Sequence, residues 1–490
     1  MGSARSLFLG FDVGTQSTKA LVVDAERREV IARAAAPHTM IEGLPSGHME
    51  QAPAMWLAAV ETTARAVLAQ VDATAVAGLG VSGQQHGCVV LDEHGAVVRP
   101  AKLWCDTATA AEARELGERL GRAVPTGFTA SKLLWLRRHE PANWARVRSV
   151  LLPHDYVNLW LCGEASMEFG DASGTGWFDP VARTFDAAAM AAIDARLPAM
   201  LPPLRAPGTF AGRLTAATAA RLGLRPGLPV ATGGGDNMMA AIGSGATTAG
   251  VVTASLGTSG TIFTRTESPV LDPRGAIAPF CSSDGAWLPL LCVMNVTGVT
   301  EEVRALTGLG HAELTAAAAP VPPGAGGLTW LPFLVGERVP DLPEATGTLL
   351  GLRPGLLRAG HLYRAALEGT ALNLGAGLDR LRDLGLLVDE VRLVGGAAAN
   401  PLWRQILADV FGVVVRPLLE TESAALGAAL QALWAVRRAA GAHELSCDAM
   451  AAPFVRLGES VRPQPRWQPA HQAMRARFRE QLERLHPGAG

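Results

Sequence analysis

Two stretches of the chain share one pattern of apolar and polar positions. Leu7–Asp24 (LFLGFDVGTQSTKALVVD) and Gly250–Thr264 (GVVTASLGTSGTIFT) each begin as an apolar, β-rich run. Each breaks at Gly-Thr with a Ser close behind, then resumes as a second β-rich run. Each pattern predicts a β-hairpin with a Gly/Ser/Thr loop at its tip. The two lie roughly half the chain apart, so a duplicated architecture is expected, with one phosphate-contacting hairpin in each half. Between and after them, helical and strand periodicities alternate. The spacing predicts helices over Met55–Gln70, Ala110–Leu120, Ser131–His139, Asp236–Ile242, Ala359–Leu384, Leu402–Phe411 and Ser423–Ala439. Strands are expected at Val76–Val81, Val230–Thr232 and Glu390–Val394. Interleaved helices and strands indicate an α/β fold. The division is placed near residue 247, giving units 1–247 and 248–490.

Composition narrows the function classes. The 43 Lys+Arg residues nearly balance 45 Asp+Glu, a formal charge of −2 that argues against nucleic acid as the main partner. None of the six cysteines forms a CxxC pair, so neither a zinc ribbon nor a dithiol redox motif is indicated, and reduced thiols are expected. The N-terminal stretch lacks the apolar core of a signal peptide. The longest uncharged stretch, Asn237–Thr264, is interrupted by five glycines and reads as a helix, a loop and a buried hairpin rather than a membrane span. A soluble, cytoplasmic protein is expected. The arginine-rich Met474–Leu485 stretch reads as a solvated helix face.

Three glycine-rich turns carry candidate chemistry. In Gly10–Lys19, Asp12 closes an apolar strand, where a carboxylate is expensive unless paired or near a metal. The turn that follows offers backbone N–H groups and hydroxyls to phosphate oxygens, although a capped hairpin needs the same residues. It lacks the GxxxxGK[ST] spacing of a Walker A loop. In Gly233-Gly234-Gly235-Asp236-Asn237, bare glycines let a substrate approach the backbone. Helix N-terminal N–H groups are expected to keep Asp236 ionised, as a base or simply as a cap. In Leu393–Asn400, a strand, two glycines and a polar residue can cradle a flat ligand, and are equally a common strand-to-helix turn. Gly83-Gln84-Gln85-His86-Gly87 and Leu103-Trp104-Cys105-Asp106 add the mixed donors and acceptors that a polyol needs, with Trp104 available to an apolar sugar face.

Taken together, these elements closely resemble the FGGY carbohydrate kinases, and within them the xylulokinase branch. The resemblance spans nearly the whole chain. Gly127–His139, with Lys132 and Trp135 in place, fits the first family signature, and His361–Glu368 fits the second. Gly83–Gly87, Pro153–Tyr156 (PHDY), Leu331–Pro340 (LPFLVGERVP), Ser255–Gly260 and Leu426–Ala429 are similar to further family elements. Gln85 stands in place of Met, Ala397 in place of a third Gly, Cys105 in place of Asn and Asp341 in place of His. The NQRE pattern of glycerol kinases is absent after Ser82.

The resemblance implies two ribonuclease-H-like (actin-like ATPase) domains with a catalytic cleft between them. It implies ATP and Mg²⁺, and transfer of a phosphoryl group to D-xylulose. It assigns Asp236 as catalytic base, and Asp12 to the neighbourhood of the metal. Thr15, Gln16 and Ser17 fall in the first phosphate loop, Gly257 and Thr258 in the second, and Gly396 and Asn400 near the adenosine. Gln85, His86, Asp106 and Asn237 fall on the sugar side. The expected partners are a small-molecule sugar and ATP, with no nucleic acid and no membrane, and a homodimer as the assembly. Another FGGY sugar kinase (for ribulose, another pentulose or gluconate) is the near alternative. An actin-like ATP clamp without catalysis is the distant one.

Overall fold

The computed structural model describes residues 6–488 of the chain. The first half is built on β1 (Leu7–Val13), β2 (Ser17–Asp24), β3 (Glu29–Pro37), β4 (Val76–Gly83), β5 (Phe210–Arg213), β6 (Pro229–Ala231) and the short β7 (Gly234–Gly235). Their order is β5-β6-β4-β1-β2-β3, with β7 pairing β4. β1, β2 and β3 form an antiparallel meander, and β4 runs parallel to β1. Helix α1 (Pro53–Leu68) seals one face through Trp56, Val60 and Val67, which meet Leu9, Phe11 and Val22 in one apolar cluster. Two further helices of this half bear on the site: α2 (Thr129–His139) and α3 (Asp236–Ser244).

The second half repeats the plan. Its strands are β8 (Gly250–Leu256), β9 (Gly260–Thr264), β10 (Ala278–Cys281), β11 (Trp287–Val293), β12 (Val388–Val394) and β13 (Val414–Pro417). They lie in the order β10-β11-β9-β8-β12-β13. Here four antiparallel strands, β10, β11, β9 and β8, are followed by two parallel ones. Both expected hairpins are present, β1/β2 and β8/β9. The long α4 (Ala359–Asp383) and α5 (Pro401–Phe411) cover the outer face, closing a second cluster around Leu367, Leu374, Ile406 and Phe411.

A third cluster lies between the sheets. It joins Phe8 and Leu21 of the first sheet to Phe263 and Leu290 of the second, through α3 and α6 (Ser423–Ala439). α3 and α6 cross almost without side chains between them. A Cβ on Gly427 would sit 1.8 Å from the Met239 carbonyl oxygen, and one on Gly243 would sit 1.9 Å from that of Ser423. Only glycine permits this approach. The crossing lets buried Gln431 of α6 donate to the Gly233 carbonyl and accept from its N–H, at 3.1 and 2.8 Å. The glycine strand of the first half is thus gripped by a helix from the end of the second.

The C-terminal helix α7 (Gln468–Leu485) adds to one expectation. Arg477, Arg479 and Arg484 are exposed, as a solvated face would have them, yet two of the four arginines also anchor the helix. Arg475 pairs with Asp379 and donates to the Val410 carbonyl, and Arg477 donates to the Gly327 carbonyl at 3.1 Å. With Phe478 and Leu482 buried, these contacts fasten α7 to the second half. All six cysteines are free thiols. Among the described residues, no helix is long and apolar enough to cross a membrane.

Candidate active site

Strand register explains how distant residues reach one edge. Asp12 on β1 lies opposite Ser82 on β4, and Ser82 lies opposite Gly234 on β7. Val13, Gly83 and Gly235 form the next row. All three strands run in parallel, so their C-terminal ends bring Asp12 and the start of α3 together, at the edge where open α/β sheets bind ligands. Gly235 is the cap and Asp236 the first helical residue.

The two carboxylates disturb each other. Burial pushes Asp12 up to about 6, against the Lys19 ammonium and the hydroxyl of Ser82, which donates at 3.0 Å. Asp236 is pushed further, to about 8, by burial and by the negative charges of Asp12 and Asp171. The N–H and side-chain amide of Asn237 donate to it at 2.8 and 2.9 Å without reversing the shift. The expectation that the helix terminus alone keeps Asp236 ionised is therefore corrected. In an enclosed site the cost of charge and two like neighbours outweigh two hydrogen bonds. Such a pair of hard oxygen donors, short of positive charge, suits a divalent cation.

Asn237 ties the halves together. Its amide donates to Gln85 Oε1 at 2.8 Å, and its carbonyl oxygen accepts from Thr261 of β9 at 2.7 Å. Gln85 is buried, and its Nε2 has no hydrogen-bond partner, so a donor is left over beside Asp236. His86 is also buried, held at φ 63°, with its ring against Phe128 and Phe280 at 5.0 and 5.8 Å. Burial, with Lys132 and Arg338 nearby, holds its pKa well below the usual histidine value. Asp106 is fully engaged. It accepts from Lys102 Nζ at 3.0 Å and from the N–H groups of Met49 and Ala108. Lys102 lies equally close to Glu50 and His48, and Arg99 pairs with Glu50 at 2.7 Å, so two cations balance that group.

At the first hairpin tip, the Thr15 hydroxyl donates to Gln84 Oε1 and accepts from Trp104 Nε1, both at 3.0 Å. Gln16 faces solvent, and Ser17 closes the turn by accepting from the Gly14 N–H at 3.0 Å. At the second tip Gly257 and Thr258 are exposed. Their carbonyls accept from Thr297 and Val296, which fixes the loop on the following helix. The β8–β12 register places Ser255 beside Val394, so this tip and Gly395-Gly396 share an edge. Open space surrounds Gly396. Asn400 caps α5, accepting from Leu402 and Trp403 at 3.0 and 3.2 Å, while its amide donates to Thr315 at 3.0 Å.

Sequence reasoning missed the group beneath the glycine strand. His154 is buried between Asp171 (2.6 Å) and Asp155 (3.0 Å), with Glu168 close by. These acids outweigh its burial and raise it to about 9, making it the local counter-charge. The PHDY element contains it, but nothing in that tetrapeptide tells which distant acids it meets.

Comparisons with known proteins identify the family. The model of the FGGY family of carbohydrate kinases, N-terminal domain, matches residues 7–243, and that of the C-terminal domain matches 252–436. The chain belongs to the FGGY family of carbohydrate kinases. It is 41% identical to a xylulose kinase of Haemophilus influenzae over 477 residues, covering 94% of this chain and 95% of that protein. It is 33% identical to the xylulose kinase of Escherichia coli, covering 98% and 99%. The crystal structure of xylulose kinase from Rhodospirillum rubrum superposes with a TM-score of 0.86 at 29% identity, over 99% of both chains.

Proposed function

We propose that this chain transfers the γ-phosphoryl group of ATP to a terminal hydroxyl of D-xylulose, forming D-xylulose 5-phosphate. The observation that carries the reading is the similarity to xylulose kinases along nearly the full length of both chains, at up to 41% identity. The geometry supplies a mechanism for it.

Asp236, at the head of α3, accepts the proton of the attacking hydroxyl. Its raised proton affinity suits that role, because a base is most effective when its pKa lies near the working pH. Gln85, His86 and Asn237 orient the polyol on the first-half side, and Asp106, sequestered by Lys102 and two backbone N–H groups, holds the adjoining loop. The hairpin tips Thr15–Ser17 and Gly257–Thr258 grasp the phosphates from opposite sheets. Gly396 leaves room for the nucleoside, and Asn400 holds the adjoining turn. Positioning and fixed dipoles supply most of the acceleration in such a transfer. Asp12 would hold Mg²⁺, which when bound neutralises charge on the phosphates. The Asp12 carboxylate, a hard oxygen donor, fits that ion. We place the boundary between the two units near residue 247, in the link between α3 and β8.

A coupled ADP-release assay over a panel of pentuloses, gluconate and no sugar tests the reading. D-xylulose is expected to give the highest kcat/KM. A higher value for another sugar would move the chain to a different branch of the family, and full ATPase activity without sugar would support the clamp.

A further inference from the structure

The first family signature places a lysine on α2, and the structure shows an unusual use of it. Lys132 is 1% exposed. Its ammonium donates to two backbone carbonyls, that of His86 at 2.7 Å and that of Gly127 at 2.6 Å. Burial depresses its pKa to about 7. A buried ammonium is costly, and a methionine would fill the same space for far less. What the ammonium secures therefore matters.

One of its acceptors belongs to His86, a non-glycine residue in the left-handed region. Such a residue persists only where its surroundings over-determine it. Here Thr129, on the same helix, donates a second bond to that carbonyl at 3.2 Å. The imidazole is confined as well. A Cβ on Gly174 would fall 1.8 Å from its Cε1, and Phe128 and Phe280 bracket the ring from the two halves. With Nδ1 unpartnered, no side-chain hydrogen bond at that nitrogen aims the ring; the turn and the packing against Phe128 and Phe280 set its direction together.

We propose that Lys132 is a positioning residue for the sugar side: it locks the His86 carbonyl, and thereby aims the imidazole into the pocket. This rests on the reading above that His86 contacts the sugar.

Steady-state kinetics of Lys132→Met, His86→Ala and the double variant test it. Lys132→Met should raise the xylulose KM about tenfold, the scale of a misplaced buried hydrogen bond, with the ATP KM unchanged. In the His86→Ala background the same change should have almost no further effect on the sugar KM, because the two act as one unit. Thr129→Val, which removes the weaker bond to the same carbonyl, should raise the sugar KM by a smaller factor. This variant and Lys132→Gln, which keeps a donor, serve if Lys132→Met does not fold. An unchanged sugar KM in His86→Ala would overturn the sugar-side reading of His86. A sugar effect in His86→Ala, with wild-type KM in Lys132→Met, Lys132→Gln and Thr129→Val, would overturn the role of Lys132 alone. So would full additivity in the double variant, or equal rises in both KM values.

Discussion

Replacing Asp236 by Asn should damage catalysis and stabilise the fold at the same time. The amide keeps the shape of the carboxylate and still hydrogen-bonds a hydroxyl, but it cannot take the proton. A positioned base contributes about 10²–10⁴-fold, so kcat should fall at least about a hundredfold while sugar affinity stays within about tenfold. The stability effect follows from the site's electrostatics. Asp236 is raised from 3.8 to about 8 by burial, Asp12 and Asp171. A carboxyl that holds its proton more tightly in the folded chain contributes stability at low pH. That contribution is lost as pH rises from about 4 through about 8. At about 1.4 kcal/mol for each tenfold in proton affinity, the ionised form costs the fold at most about 6 kcal/mol. Asp236 is only half-buried, so solvent screening reduces this to about 1–3 kcal/mol. At about 2–4 °C per kcal/mol, the Tm of Asp236→Asn should exceed that of wild type by about 2–12 °C at pH 8.5. The gap should nearly close at pH 4. Thermal melts at both pH values, without metal or nucleotide, measure the second effect, and sugar titration with coupled kinetics measures the first. Near-normal turnover would remove Asp236 from the role of base. A variant no more stable than wild type at pH 8.5 would refute the electrostatic account.

The wild-type kcat/KM for the sugar should rise as pH increases towards about 8 and then level off, because Asp236 must be ionised to act. A profile flat from pH 6 to 9 would contradict this. Gly427→Ala should cost about 3 kcal/mol or more, since its methyl would meet the Met239 carbonyl at 1.8 Å; denaturant unfolding measures it, and a change under 1 kcal/mol (roughly the tolerance of a repacked core) would mean the helices can part. Thr15 and Thr258 sit on hairpins of different sheets, so the radius of gyration should shrink with xylulose and a non-hydrolysable ATP analogue together. Small-angle scattering with each ligand alone and with both would show whether closure needs the pair.

The sequence alone carried the duplicated hairpins, the alternation of helices and strands, and the glycine-flanked Asp12 and Asp236. Each of these is written in residues a few positions apart, where turn geometry and periodicity act directly. Lys132 was legible as part of a motif, but its acceptors were not, because the His86 carbonyl lies on another element. Asp236 looked ionised from its place on a helix. Only the fold revealed that Asp12, more than two hundred residues earlier, shares its edge through the Ser82 and Gly234 register. Asn400 read as part of a ligand cradle, and the structure shows its side chain committed to a helix cap. Nor did any local signal place the helix 423–439 on the first sheet, with Gln431 gripping Gly233. Local patterns choose elements because backbone preferences act over a few residues. Charge balance and helix docking depend on which distant groups become neighbours, and that is settled only when the two sheets close around α3 and α6.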